Sequence, residues 1–229
     1  MGNARGENLK FQVSPIQNLE SETGANGLLS TDLFLQYDID MDFGAKKRNY
    51  FSQDHCEGKV TYWPERPFAV VPVTLSNGHI NVPVTIDGKQ LQAIIDTGAG
   101  NSAMNVEVAI GTFGIKPGSE DAPLVDTSKT NPLLKEYSHQ FSTLSFEGIT
   151  VTSPHISIIA DRMGASELKS SFRGTTSDPY NSRIRQVIVG MDVLQHLHLY
   201  MAYREKKLYI SPAGTGASVL FKSPAEPAK

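Results

Sequence analysis

Leu91-Gln92-Ala93-Ile94-Ile95-Asp96-Thr97-Gly98-Ala99 is the stretch that decides the reading of this chain. A mostly apolar run reads as a buried strand, and it ends on an acid followed by Thr-Gly. Gly98 lets the backbone turn tightly where a Cβ would clash. A carboxylate delivered by a rigid strand suits the floor of a cleft, opposite a second carboxylate. The Thr97 hydroxyl can hydrogen-bond across to a second such loop and lock the spacing. Two carboxylates about 3 Å apart cannot both ionise, so such a pair shares one proton. The ionised member can then activate a water while the protonated member polarises a carbonyl.

Working outward, Phe68 to Leu75 is rich in Val and Thr and ends at Ser76-Asn77-Gly78, a tight-turn signal. Ile80 to Ile86 follows, then a second two-residue turn at Asp87-Gly88, then the strand into Asp96. Two successive hairpins make a β-meander rather than a βαβ unit. A short helix is expected over Val106 to Ile110, ending near Gly111 and Gly114, with later strands at Gln140–Phe146 and Ile149–Ala160. A last pair of strands falls between Leu199 and Ile210. The class is all-β with small helices. Asp161 to Gln186 is polar with few apolar anchors and reads as a long mobile loop, and the Ala-, Ser- and Pro-rich tail from Pro212 is expected to fray.

The chain also echoes itself. Leu28-Leu29-Ser30-Thr31-Asp32-Leu33-Phe34 resembles Ile188-Val189-Gly190-Met191-Asp192-Val193-Leu194. At the same offset of 160 residues Met41 matches Met201 and Lys46-Lys47 matches Lys206-Lys207, which reads as a duplicated unit. The Lys-Lys pairs are expected at exposed hairpin turns. The 229 residues carry a net charge of −3, which gives no footprint for nucleic acid or an anionic membrane. No apolar run is long enough to cross a bilayer, and the first seven residues lack a secretory core. The single cysteine, Cys56, is expected to be a small semi-buried side chain. His55, His196 and His198 come without a zinc-type ligand set, so no metal and no cofactor is expected.

With these motifs in place the chain resembles the retropepsin-like aspartic proteases. Their signature is an apolar strand, Asp-Thr-Gly-Ala, a nearby Ser or Thr, and a later apolar-apolar-Gly, here Ile188-Val189-Gly190. The resemblance implies a closed barrel of short strands and peptide-bond hydrolysis without metal or covalent intermediate. It makes Asp96, Thr97 and Gly98 the catalytic loop. Ala99, Ser102 and Gly190 support it, with Ser102 hydrogen-bonding near the catalytic carboxylate. A substrate-covering flap is expected over Val125 to Tyr137. The similarity extends to a bacterial group of tandem-lobe proteins through Phe51-Ser52-Gln53-Asp54-His55-Cys56-Glu57-Gly58 and the nearby Tyr62-Trp63. It implies a first-lobe remnant and linker over residues 1–64, a protease domain over 65–212 and a flexible tail over 213–229. The partners implied are a polypeptide substrate and either a homodimer mate or a first lobe, because one Asp-Thr-Gly supplies one carboxylate. The resemblance also implies a periplasmic or other extracytoplasmic setting. The competing reading is a catalytically incompetent peptide-binding or assembly module that keeps the loop geometry.

Overall fold

The computed structural model describes residues 34–63, 68–76, 78–127, 135–159, 186–213 and 219–221. Its strands form two sheets around a shared core. The smaller contains β1 (Tyr37–Asp42), β2 (Lys47–Ser52), β3 (Ala69–Pro72), β14 (Leu197–Ala202) and β15 (Lys207–Pro212), in the order β2-β1-β14-β15-β3. The larger holds β4 (Thr74–Ser76), β5 (His79–Ile86), β6 (Lys89–Ile95), β7 (Ala103–Asn105), β8 (Leu124–Thr127), β9 (Lys135–Gln140), β10 (Thr143–Phe146), β11 (Ile149–Thr152), β12 (His155–Ile159), β13 (Val187–Val189) and β16 (Val219–Phe221). The fold is all-β, as the sequence suggests. The closed barrel takes a looser form, because the described strands of each sheet end on open edges, β2 and β3 in one, β16 and β8 in the other.

The expected meander is present: β4 pairs with β5 and β5 with β6. Asp87 and Gly88 both adopt positive φ at the second turn, as a two-residue hairpin connection requires. The expected strand over residues 68–75 is divided. Val73 is buried and donates its N–H to the carbonyl of Lys206, so β3 stays with β15 while β4 joins the meander. Likewise the strand expected over residues 149–160 breaks at Ser153, whose φ of 53° turns β11 into β12.

Helix α1 (Val106–Phe113) runs three residues past the expected Ile110. Asn105 caps its start, accepting a hydrogen bond from the Glu107 N–H at 2.7 Å, an arrangement worth about 1 kcal/mol. Gly114 ends it with a φ of 69°, a conformation that suits glycine. A second short helix, α2 (Met191–Leu194), leads into β14. Within the described part of the tail, Val219–Phe221 pairs with β11 instead of fraying. The long loop, except Gln186, lies outside the described residues, as do Leu28 to Leu33 of the echo. Among the described residues no helix is long and apolar enough to cross a membrane.

The echo has a structural counterpart. β1 and β2 repeat β14 and β15 at the 160-residue offset, with the same hairpin register: Asp42 faces Lys47 as Ala202 faces Lys207. Lys46 and Lys206 take matching φ values of 54° and 53° in the two turns. Moreover β1 and β14 pair antiparallel with Asp40 opposite Tyr200, residues that are each other's counterparts in the echo. A local pseudo-two-fold axis therefore passes between them.

Candidate active site

Strand β6 carries the apolar run into Asp96 between two neighbours. β13 lies parallel on one side, with Val189 level with Ile95, and β5 lies antiparallel on the other, with Ile80 facing Ile95. Ile94 and Ile95 are buried, and the Asp96 N–H donates to the Val189 carbonyl at 3.1 Å. The acid therefore leaves a strand fixed on both edges. Its Oδ1 accepts the Gly98 N–H at 2.9 Å, and the Ala99 N–H closes the turn onto the Asp96 carbonyl at 3.2 Å. A Cβ on Gly98 would stand 3.2 Å from Asp96 Oδ1 and press on the carboxylate. Asp96 is half-buried, whereas Thr97 and Gly98 are exposed.

Behind this turn, Gly190 passes so close that a Cβ there would meet the Asn101 backbone at 2.6 Å. Only glycine allows that approach. The contact seats the start of α2 on the loop: the Met191 N–H donates to Ala99 O at 2.8 Å and the Asp192 N–H to Gly100 O at 3.1 Å. Ser102 is fully buried. Its hydroxyl accepts the Gly190 N–H at 3.0 Å and donates to Asp192 Oδ1 at 2.6 Å, while its own N–H donates to both Asp192 oxygens at 2.9 Å. Ser102 thus pins the loop to α2, a different task from the expected hydrogen bond near the catalytic carboxylate. Asp192 is the residue that sequence reasoning missed. Its signal was present as the identity with Asp32 in the echo. Hydrogen bonds to a charged carboxylate of this kind each contribute about 1.5–3 kcal/mol.

The described ends of the expected flap form an antiparallel pair, β8 with β9, on the outer edge of the larger sheet, where Leu124 and Val125 are half or more exposed. The segment between them lies outside the described residues.

A second acidic cluster lies on the smaller sheet, and sequence reasoning did not find it. Asp38 and Asp40 alternate along β1 and are fully buried. Asp40 accepts hydrogen bonds from His198 Nε2 at 2.5 Å, the Tyr62 hydroxyl at 2.7 Å and the Asn49 amide at 2.8 Å. Burial alone would raise the Asp40 pKa, but these donors outweigh it and hold the carboxyl below its ordinary value. The same contact and burial push the Tyr62 phenol up to about 12.

Asp38 accepts the Tyr203 N–H at 3.0 Å and binds His55 Nε2 at 2.6 Å. Burial opposes a charge on His55. Both ring nitrogens nevertheless face acceptors, Asp38 and the Cys56 carbonyl, and with the charges of Asp38 and Glu205 these raise its pKa. Trp63 packs against His198 with ring centroids 4.1 Å apart and the rings tilted by 37°. His198 is therefore a locally satisfied, buried side chain, and Cys56 is exposed rather than semi-buried. Among the described residues no group of three or more His, Cys, Asp or Glu side chains is placed to hold a metal ion.

Residues 82–193 match the family model described as aspartyl protease. No curated protein matches the chain. Among solved structures the chain is similar to a retropepsin-like aspartic protease from Rickettsia conorii, at 13% identity and a TM-score of 0.44, covering 65% of this chain and 96% of that one. The family match takes in Asp96-Thr97-Gly98-Ala99, Ser102, Gly190 and Asp192 together. The segment spanning residues 82–193 belongs to the aspartyl protease family, in agreement with the retropepsin-like resemblance of its motifs.

Proposed function

We propose that this chain contributes one catalytic half of an aspartic endopeptidase. Asp96 supplies one carboxylate of a proton-sharing pair, and a facing lobe supplies the other. The single observation that carries this reading is the mounting of Asp96. It leaves a doubly paired strand, its carboxylate is held by the Gly98 N–H, and its turn is backed by Gly190 and α2.

In the assembled pair one aspartate is ionised and takes a proton from a water, which attacks the peptide carbonyl. The protonated aspartate donates to that carbonyl oxygen; as the resulting diol collapses and the C–N bond breaks, the aspartate that took the water's proton passes it to the leaving amine and its mate recovers a proton from the diol hydroxyl. Thr97, exposed beside Asp96, is the side chain available to bond across to the facing loop. The substrate is an extended polypeptide lying between the loop and the β8–β9 hairpin. The sequence holds one Asp-Thr-Gly, so the chain by itself has low activity.

The test is Asp96→Asn, which keeps side-chain size and removes the ionisable oxygen. With the facing lobe supplied, cleavage of an unfolded protein should fall by about 10²–10⁴-fold while far-UV circular dichroism is unchanged. Undiminished cleavage would take Asp96 out of the mechanism.

A further inference from the structure

We infer that residues 54–59, the turn between the first hairpin and the segment leading to β3, form a latch that His55 holds shut in acid and lets go as the pH rises past neutrality. The inference stands apart from the reading of Asp96. The turn reads Asp54-His55-Cys56-Glu57-Gly58-Lys59, with no large apolar side chain to anchor it. His55 is the one member that is not exposed. Both ends are fixed. On one side Gln53 Nε2 donates to the Leu35 carbonyl at 2.8 Å, and Arg204 donates to the Gln53 carbonyl at 3.3 Å. On the other side Val60 is buried in an apolar cluster with Tyr200, Ala202 and Tyr209.

Between those ends the turn is held by charge. His55 Nε2 meets Asp38 Oδ2 at 2.6 Å, and its Nδ1 lies 3.3 Å from the Cys56 carbonyl and 3.6 Å from Glu205 Oε1. The Gly58 N–H donates to the same Glu205 oxygen at 3.0 Å. Glu57 pairs with Lys207 at 2.6 Å, but with Glu57 73% exposed that pair contributes little. Asp38 and Glu205 are themselves buried, at 0% and 4% side-chain exposure, so two buried carboxylates share one imidazole. Protonated, His55 donates from both nitrogens. Neutral, it keeps one proton, and the nitrogen that loses the other turns a lone pair toward an acceptor. The carboxylates then also lose the cation they share.

The other groups around His55 do not replace it. Asp54 and Lys59 lie exposed on the turn. Burial, with the charges of Asp38, Asp40 and Glu205, pushes the Tyr200 phenol on β14 up, and burial with the Glu205 hydrogen bond does the same to Tyr209 on β15. Burial and Asp38 push Tyr203 up to about 12. Lys207 and Glu57 hold each other charged, the lysine raised and the glutamate lowered. His198 has its own carboxylates, Asp40 and, 3.9 Å from Nδ1, Asp42. Burial works against a charge on His55, yet its bonds and the nearby carboxylates raise its pKa. The latch is therefore closed below about pH 6.5 and opens as pH climbs through the folded value. Opening leaves β1 paired with β14 and frees the joint alone, which exposes the chain to cutting between β2 and β3.

The experiment uses the full chain with a nitroxide on Cys56, its sole and exposed thiol, which lies within the turn. The electron spin resonance line shape should show an ordered turn at about pH 5.5. The mobile fraction should rise about fivefold by about pH 8.5 in a one-proton transition, with far-UV circular dichroism constant. His55→Gln keeps a donor for Asp38 without a charge, and its line shape should be the same at both pH values. Glu205→Gln should lower the midpoint by about half a pH unit or more, and it decides the matter should His55→Gln fail to fold. A line shape constant with pH, a transition that survives in His55→Gln or a midpoint unmoved by Glu205→Gln would each overturn the inference. Loss of the circular dichroism signal over the same range would do so too, because the whole fold would then be titrating and not the turn.

Discussion

Asp96 and Asp40 lie on strands of one small protein and are held in opposite ways. Asp96 sits half-exposed at a turn, and the hydrogen bond found for its carboxylate comes from the neighbouring Gly98. Asp40 lies fully buried and satisfies three side-chain donors, two of them on other strands. A carboxylate surrounded by donors is fixed in its ionised form and can do little chemistry. One held at a rigid turn with oxygen valence to spare can accept a partner and a substrate. The contrast separates an acid that organises the molecule from one that, on the proposed reading, is offered to a reaction.

The strongest way to break this contrast is Asp40→Ala. It leaves His198, Tyr62 and Asn49 without their acceptor and should cost about 3–5 kcal/mol in denaturant unfolding. A loss below about 1 kcal/mol would show that the network is ornamental.

Gly190→Ala probes the support behind Asp96. Its Cβ would collide with the Asn101 backbone. The expected cost is about 1–3 kcal/mol, with a loss of activity in the assembled enzyme larger than the lost stability explains. Activity falling only in step with stability would deny that the contact positions the loop.

Ser102→Ala should cost about 1–1.5 kcal/mol, because the Gly190 N–H and Asp192 each lose one partner. Asp192 still accepts the backbone N–H of Ser102, so the fold should survive, and a well-dispersed NMR spectrum would check that.

The smallest effect concerns pH. The lowered pKa of Asp40 contributes stability above its unfolded value of about 3.9, lost as pH falls through the folded value. The raised pKa of His55 contributes stability that is complete below about 6.5 and lost as pH rises through the folded value. Thermal stability should therefore peak between about pH 4 and 6.5 and decline by a few degrees toward pH 8. Asp38→Asn should flatten the alkaline side. A curve still rising from pH 6 to 8 would contradict this assignment.

Local patterns exposed the strand into Asp96, its turn, the two hairpins before it and the helix ended by Gly114, because neighbouring residues determine each of these. The echo was legible too, and it pointed to the hairpin pair that the structure arranges about a pseudo-two-fold axis. The second acidic cluster was not legible. Asp38, Asp40 and Asp42 alternate as an exposed strand face would, yet Asp38 and Asp40 are buried, and the side chains that meet them, His55, Tyr62 and His198, lie 17, 22 and 158 residues away. Val73 was hidden for a similar reason: the acceptor that splits its strand is Lys206, 133 residues away. The partner of Ser102 likewise lies 90 residues further along the chain.

The pairing of β1 with β14 also has a consequence for the order of folding. The meander β4–β5–β6 closes over a few residues at each turn and can form as soon as it is synthesised. β1 must instead wait for a strand 160 residues later, and β3 for one more than 130 residues on. The entropy of closing such loops is spent before their contacts exist, so the smaller sheet is the slow step of assembly. Until Ala202 has left the ribosome, Ile39 has no β14 to pack beside, and the nascent hairpin is the segment on which a chaperone would act.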